Sequence, residues 1–463
     1  RCRFFGVAAE AERDGFRACL RCRPEIAPGS AFADTAGGAS VDAVRSLARA
    51  AVAHLASSRL DDVSADDLAA ALGVGTRHLR RALRTELGLS TTQLIQSSRL
   101  AVAKRLLHDT DLPVIQVALA SGFGSLRRFN AAFAERFGRT PSSLRAAAPR
   151  AAVTATATAT GVPGAGDAVT LRLDVRTPFD WDALLAFLHG RQIPHVEMIE
   201  GGVYRRSVRV AGRAGWVEAT FGARSGHGRR DDSGSVHVRF PHALVPVLAP
   251  LVARMRVLLD LDAHPGRIAD ALRDDAVLGA AVRARPGLRV PGAFDPFETT
   301  LRAVLGQQVT VRAASTVAGR VVQAFGDPVE TPFDGVDRLF PAADVVAAAD
   351  ESRIARLGMP GARARTVLAV AAAARDGVFD LADAAETLAR LRALPGIGDW
   401  TAEYVAMRAL RNPDAFPAGD LVLRRRLGVT TSREAAARAE AWRPWRAYAA
   451  MHLWLSPELE GDS

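Results

Sequence analysis

Lysine is almost absent from this 463-residue chain: Lys104 stands alone among 60 lysines and arginines. A step that needs a Schiff-base lysine therefore has one candidate, and nearly all the positive charge is guanidinium. Cysteine is as scarce, with Cys2, Cys19 and Cys22 all near the start. Three cysteines in so long a chain make no disulfide framework, which fits a reducing compartment. None follows Cys22, so a cysteine-ligated iron–sulfur cluster further along is excluded. No apolar run approaches the ~20 residues that span a bilayer, and no signal-peptide pattern opens the sequence. These absences point to a cytoplasmic protein without a membrane partner. The first residue is Arg1 rather than Met, which hints at a missing N-terminal piece.

What is present is globular: 49% hydrophobic and 24% charged residues, in a length that predicts about three domains. The net charge of +10 and the pI near 10.7 favour an anionic partner, although a high arginine and alanine content can also reflect coding bias. Periodicity changes along the chain. Residues 40–147 read as helices, with Ser64 capping an apolar stripe, a glycine turn, and a helix from Thr76 to Leu87 bearing Arg77, His78, Arg80, Arg81 and Arg84. The pattern repeats from Ile115 through Gly122-Phe123-Gly124 into a helix carrying Arg127, Arg128 and Asn130. Two such units can set recognition helices in successive major grooves; the plain alternative is a solvated arginine face. Residues 148–167, alternating Ala-Thr and then Gly-Pro-rich, read as a linker. Strand-like alternation follows at Val169–Val175, Val203–Val210, Trp216–Phe221 and Ser235–Phe240, with helices at Trp181–Gly190 and Leu244–Leu259. This small α+β domain with an antiparallel sheet, 168–284, shows no catalytic constellation of its own. From 285 to 456 the pattern is helical again, with the stretch Arg289 to Glu298 opening a helix that runs through Leu305-Gly306-Gln307-Gln308-Val309.

Within that last region the stretch Leu394-Pro395-Gly396-Ile397-Gly398-Asp399-Trp400 reads as a tight hairpin between helices. Gly396 and Gly398 permit positive φ and close backbone approach. The turn is either a ligand-free corner or an anion site where helix-start amides meet a phosphate. Trp400 and Tyr404, four apart, project to one side of the following helix. Asp420, after a Gly/Pro-rich loop, reads on its own as a helix N-cap before Leu421.

Three family resemblances rest on these motifs. Gly15-Phe16-Arg17-Ala18-Cys19-Leu20-Arg21-Cys22 in residues 1–30 resembles the end of the zinc module of Ada-type proteins. That implies Cys19 and Cys22 as half a zinc site, with the methyl-accepting cysteine of that family not in this sequence. The paired helical units ending in Phe137-Gly138-Arg139-Thr140-Pro141 resemble the AraC-type DNA-binding domain, which implies DNA contacts from Arg77, Arg80, Arg81, Arg127, Arg128 and Asn130. From Thr177-Pro178-Phe179-Asp180-Trp181 through the hairpin, the chain resembles AlkA-type 3-methyladenine glycosylases of the helix-hairpin-helix superfamily. The expected architecture is thus multidomain and mainly α: a double helix-turn-helix, an α+β domain, and an all-α glycosylase domain.

The third resemblance implies double-stranded DNA with alkylated bases as substrate, and base flipping into a pocket walled by Trp400, Tyr404 and Trp454. An electron-rich wall suits a base made cationic by alkylation. Asp420 falls where the family has its essential aspartate, implying that it stabilises an oxocarbenium-like sugar. Gly396 and Gly398 become the phosphate clamp, and Gln308 the wedge that fills the gap left by the flipped base. Strand-cutting members carry a lysine where this chain has Trp400, so the implied enzyme is monofunctional and needs no cofactor for its chemistry. A monovalent cation on hairpin carbonyls is a feature of the superfamily. The competing readings are a promoter-binding regulator that keeps the glycosylase part as a DNA clamp, and phosphotriester repair by the zinc module. A monomer is expected.

Overall fold

The computed structural model describes residues 47–48, 50–52, 54–55, 63–109, 112–147, 168–222, 233–379 and 383–456. Cys2, Cys19, Cys22 and the linker 148–167 lie outside the described residues. The helix-turn-helix region holds α1 (Ala65–Ala71), α2 (Thr76–Leu87), α3 (Thr91–Asp109), α4 (Val114–Ala120), α5 (Leu126–Phe137) and α6 (Pro141–Ala147). Each turn is built by its sequence. Ser64 and Asp67 form a reciprocal capping box at the head of α1, and Ser125 caps α5. Gly88 and Gly138 end α2 and α5 in the left-handed conformation, at φ 66° and 65°. The α1–α2 unit keeps its own core around Leu68, Leu79 and Leu83. The α4–α5 unit, through Val117, Phe129 and Phe133, joins the core of the domain that follows.

That domain is a five-stranded antiparallel sheet in the order β1-β5-β4-β3-β2. Its elements are β1 (Ala168–Arg176), α7 (Trp181–His189), β2 (Glu197–Glu200), β3 (Val203–Val210), β4 (Arg213–Gly222) and β5 (Ser233–Pro241). Strand period two turns Tyr204, Arg206, Val208 and Val210 of β3 inward, so an arginine stands in an apolar row. A 3₁₀ turn (His242–Val247) leads into α8 (Leu248–Leu258), where one continuous helix was expected. Pro246, inside the turn, has no N–H to offer an α-helical ladder. The short edge strand β2 has no counterpart among the expected strands.

The remainder is helical: α9 (Pro265–Leu272), α10 (Gly279–Ala284), α11 (Pro296–Leu305), α12 (Val311–Phe325), α13 (Ala343–Ala347), α14 (Glu351–Ala355), α15 (Gly361–Arg375), α16 (Ala384–Arg392), α17 (Asp399–Arg408), α18 (Leu421–Leu427), α19 (Ser432–Ala439) and α20 (Arg446–Leu455). Helices α11, α12, α15 and α17 share one core, from Leu301 and Val322 to Val367 and Ala402. The last helix, α20, packs instead with the sheet domain. No helix among the described residues is long and apolar enough to cross a membrane.

A buried charge cluster ties the sheet to α11. Arg206 donates to Glu298 at 2.7 Å and lies 3.7 Å from Glu197, which accepts from Tyr204 Oη at 2.5 Å. Burial pushes the Glu298 carboxyl up to about 7 against the pull of Arg206. Burial also works against Arg206, but Glu298 and its neighbours hold it well above its ordinary value. In this interior Arg206 and the two carboxylates take the place of water for one another.

Candidate active site

The hairpin sits between α16 and α17. Gly396 has φ +83°, and a methyl group there would lie 2.0 Å from Thr366 Oγ1. Both facts demand glycine. Gly398 differs from expectation: its backbone is extended (φ −86°, ψ 176°), and nothing lies within 4 Å of where its Cβ would be. Its missing side chain instead leaves the first amides of α17 uncovered.

The expected helix through Val309 also stops early. Helix α11 ends at Leu305, and Gln308 is exposed at the tip of a turn with φ 55°. Gly306 caps the helix and Thr310 starts the next, and between them Gln307 Nε2 donates to Gly396 O at 2.8 Å and Thr401 Oγ1 at 2.9 Å. Arg363 donates to the Gln307 carbonyl. The Gln308 turn and the glycine hairpin are therefore laced into one unit.

Behind the hairpin, the first turn of α17 carries Trp400 and the second Tyr404. Their rings stack at 5.4 Å and 18°. Trp454, from α20, lies 6.3 Å from Tyr404, tilted by 54°. Asp420 caps α18, accepting from Val422 N at 2.9 Å and Leu423 N at 3.1 Å. The same carboxylate accepts from Trp400 Nε1 at 3.0 Å and Trp454 Nε1 at 3.1 Å. Four donors meet one acceptor-only group, fixing the aspartate and the planes of both indoles together. Asp420, Trp400, Tyr404 and Trp454 thus share one site, and Asp420 is a helix cap within it. Leu421 and Val422, the next two residues, are exposed at its rim, at 61% and 45%.

The sheet domain supplies the far wall, which the sequence did not reveal. Phe187, buried at the end of α7, stacks on Trp454 at 6.1 Å and 29°. The Arg191 guanidinium lies 3.7 Å from the centroid of the Phe187 ring, and that of Arg408 4.9 Å. Arg408 also donates to Tyr404 Oη at 2.7 Å. The only available signal was an arginine just past the end of a largely apolar helix, four residues after Phe187; periodicity could not say which face met the pocket.

The helix-turn-helix candidates have a different setting. Arg77, Arg80, Arg81, Arg127, Arg128 and Asn130 are all exposed. Those of α2 line an open groove of about 590 Å³ with His78 and Arg84. Among the described residues none of these arginines pairs with a carboxylate. Lys104 is buried in α3, 6.0 Å from the Phe137 ring centroid, in a different region from the α17 site. Cys19 and Cys22 fall outside the described residues; among those described, no His, Cys, Asp and Glu side chains group as metal ligands.

A hairpin-led helix, a stacked aromatic wall and a clamped carboxylate thus meet at this site. Residues 301–447 match the HhH-GPD superfamily of base excision DNA repair proteins, and residues 170–295 match the AlkA N-terminal domain. Residues 68–147 match a helix-turn-helix domain, and residues 1–25 the metal binding domain of Ada. A Mycobacterium tuberculosis protein named as a probable bifunctional transcriptional activator/DNA repair enzyme AlkA is 39% identical over 98% of this chain and 88% of its own length. DNA-3-methyladenine glycosylase 2 of Escherichia coli is 34% identical over 63% of this chain and 98% of its own. In fold, the 3-methyladenine DNA glycosylase of Archaeoglobus fulgidus superposes with a TM-score of 0.51 at 22% identity, covering 61% of this chain and 97% of that one. The chain belongs to the AlkA family of DNA glycosylases, here joined to an N-terminal helix-turn-helix module.

Proposed function

We propose that the chain hydrolyses the N-glycosidic bond of alkylated purines in double-stranded DNA, with Asp420 as its catalytic carboxylate. The observation that carries this reading is the convergence of two indole N–H groups and two backbone amides on Asp420, beside the Trp400–Tyr404 stack. A carboxylate held in this way is preorganised to face a sugar that turns cationic as the bond breaks. The leaving base, already positively charged, departs without a general acid. Trp400, Tyr404 and Trp454 receive the flipped base, and the exposed Gln308 takes its place in the duplex. The hairpin, with Gly396 shaping the turn and Gly398 leaving the α17 amides open, grips a phosphate. With Lys104 buried in α3, the reaction ends at an abasic site and leaves the strand intact.

Replacing Asp420 by Asn keeps the cap and removes the charge. Release of methylated purines should fall by at least ~10²–10³-fold while binding to abasic-site DNA persists. Undiminished release would overturn the assignment.

The exposed, unpaired arginines of α2 and α5 support a second role, binding of promoter DNA by the paired helix-turn-helix units, in line with the name of the M. tuberculosis relative. Cys19 and Cys22 would give two of four zinc ligands. A monovalent cation at the hairpin would have to share the Gly396 carbonyl with Gln307, and no step depends on it. A cytoplasmic monomer completes the reading.

A further inference from the structure

The chain has three tyrosines, all buried, and their hydroxyls face opposite company. Tyr204 donates to Glu197 at 2.5 Å, and Tyr448 donates to Asp260 at 2.8 Å. Tyr404 has only donors around it. Arg408, one turn along α17, donates to its oxygen at 2.7 Å, and Arg191 from beyond α7 lines the same small cavity as Tyr404. Arg302 of α11 acts on it by charge, and one of its nitrogens, Nη1, is buried without a hydrogen-bond partner. No acceptor for the phenolic proton is present among the described residues. A guanidinium is a donor at every nitrogen, so this oxygen is called on to accept, which a phenolate does better than a phenol.

The nearby carboxylates do not reverse this. Asp420 is held by its four donors, Glu298 is committed to Arg206, and Glu197 accepts from Tyr204. Glu403, next to Tyr404 on α17, turns outward to Arg392. Tyr404 lines a small cavity of about 30 Å³ between the two domains, with room for about two waters to carry a proton away. Electrostatics agrees with the geometry. Burial pushes the Tyr404 phenol up, but the guanidiniums of Arg408, Arg191 and Arg302 overcome it and the group lies below its ordinary value. For Tyr204 and Tyr448, burial and the adjacent carboxylate act together, and both lie well above it.

We propose that Tyr404 reads the positive charge of a flipped base by releasing its phenolic proton to solvent, so that the base stacks on a phenolate held by Arg191, Arg302 and Arg408. This rests on the base-excision reading above. A phenolate ring offers a cation more than a phenol does, and by linkage the bound cation in turn favours the phenolate. The departing base loses its charge in the transition state, so the gain goes to capture of the base and not to bond cleavage.

Tyrosinate absorbance of the full chain, followed against pH, tests the first half. One tyrosine should ionise below the ~10 of the free side chain, and this step should vanish in Tyr404→Phe. Arg302→Gln should keep the step and move it to higher pH. A chain in which no tyrosine ionises early, or in which the early step survives in Tyr404→Phe, overturns the proposal. Kinetics on methylated DNA test the second half. As pH rises through the step, KM should fall several-fold with kcat not rising, and Tyr404→Phe should lack that dependence. Binding to abasic-site DNA, which has no base to stack, should follow pH identically in both proteins. If methylated bases are released with a KM indifferent to the step, the phenolate role fails alone; if none is released, the base-excision reading itself fails.

Discussion

Arginine does two unlike things in this chain. On α2 and α5 the guanidiniums of Arg77, Arg81, Arg127 and Arg128 stand in solvent without a carboxylate among the described residues. Arg206 and Arg408 are instead 2% and 6% exposed; Arg206 bonds across the domain boundary to Glu298, and Arg408 bonds the Pro291 carbonyl and the Tyr404 hydroxyl. The first set is uncommitted charge, available to a polyanion. The second set is structure: it replaces water for Glu298 and Tyr404 and sets their chemistry. Identical side chains are thus told apart by what surrounds them, and removing them should produce effects of different size and kind.

The largest loss should come from Arg206→Met. It strands Glu298 and Glu197 in the interior, at a cost of about 3–5 kcal/mol to folding, read as a lower denaturant midpoint. Adding Glu298→Leu should recover the part of that loss that belongs to Glu298, while Glu197 keeps only Tyr204 Oη and Ile193 N as donors. If the double variant is no more stable than the single one, the cluster is not the clamp described.

The limits of sequence reading follow the same division. The span of α2 was legible residue by residue, because Gly75, the apolar Leu79, Leu83 and Leu87, and Gly88 are all local signals. The exposed arginines came with it. Arg206 was visible only as one of two adjacent arginines in an alternating strand; alternation puts Arg205 and Arg206 on opposite faces but does not say which is inward. β2, four residues long, has no room for a period of its own. At Gln308 the local signals, Gly306 as cap and Thr310 as the next N-cap, were passed over, and the bond from Gln307 to a carbonyl 89 residues away has no local pattern. At Asp420 the local reading and the family reading were offered as alternatives, and the geometry accommodates both in one carboxylate.

His452 extends the comparison to a buried group that must stay neutral. It lies in α20 at 4% exposure, and burial, aided by Arg285, holds its imidazole down at about 4. In the unfolded chain it takes up a proton near the ordinary 6.5. Between those values the unfolded state binds more protons, so stability should fall as pH drops from about 6.5 towards 4, by up to ~3 kcal/mol. Above 6.5 it should make no difference. Comparing denaturation midpoints with those of His452→Gln across that range isolates the contribution, and parallel curves would count against it.

The smallest effects belong to the exposed set, and they differ in kind. Replacing Arg77, Arg81, Arg127 or Arg128 singly by Ala should leave the melting temperature within about 1 kcal/mol equivalent of the parent, since nothing inside the protein depends on them. If the arginine meets a phosphate, the slope of log affinity against log salt should drop by ~1, equally for every sequence. If it meets a base edge, the slope should hold while discrimination at one position weakens by ~1–3 kcal/mol. Base release from a duplex already bound at the hairpin should be unchanged in either case, because none of these side chains bonds the Asp420 carboxylate or its four donors. A variant on α2 or α5 that slowed base release on saturating substrate would show that the two sets of arginines are coupled, and the division drawn between them would fail.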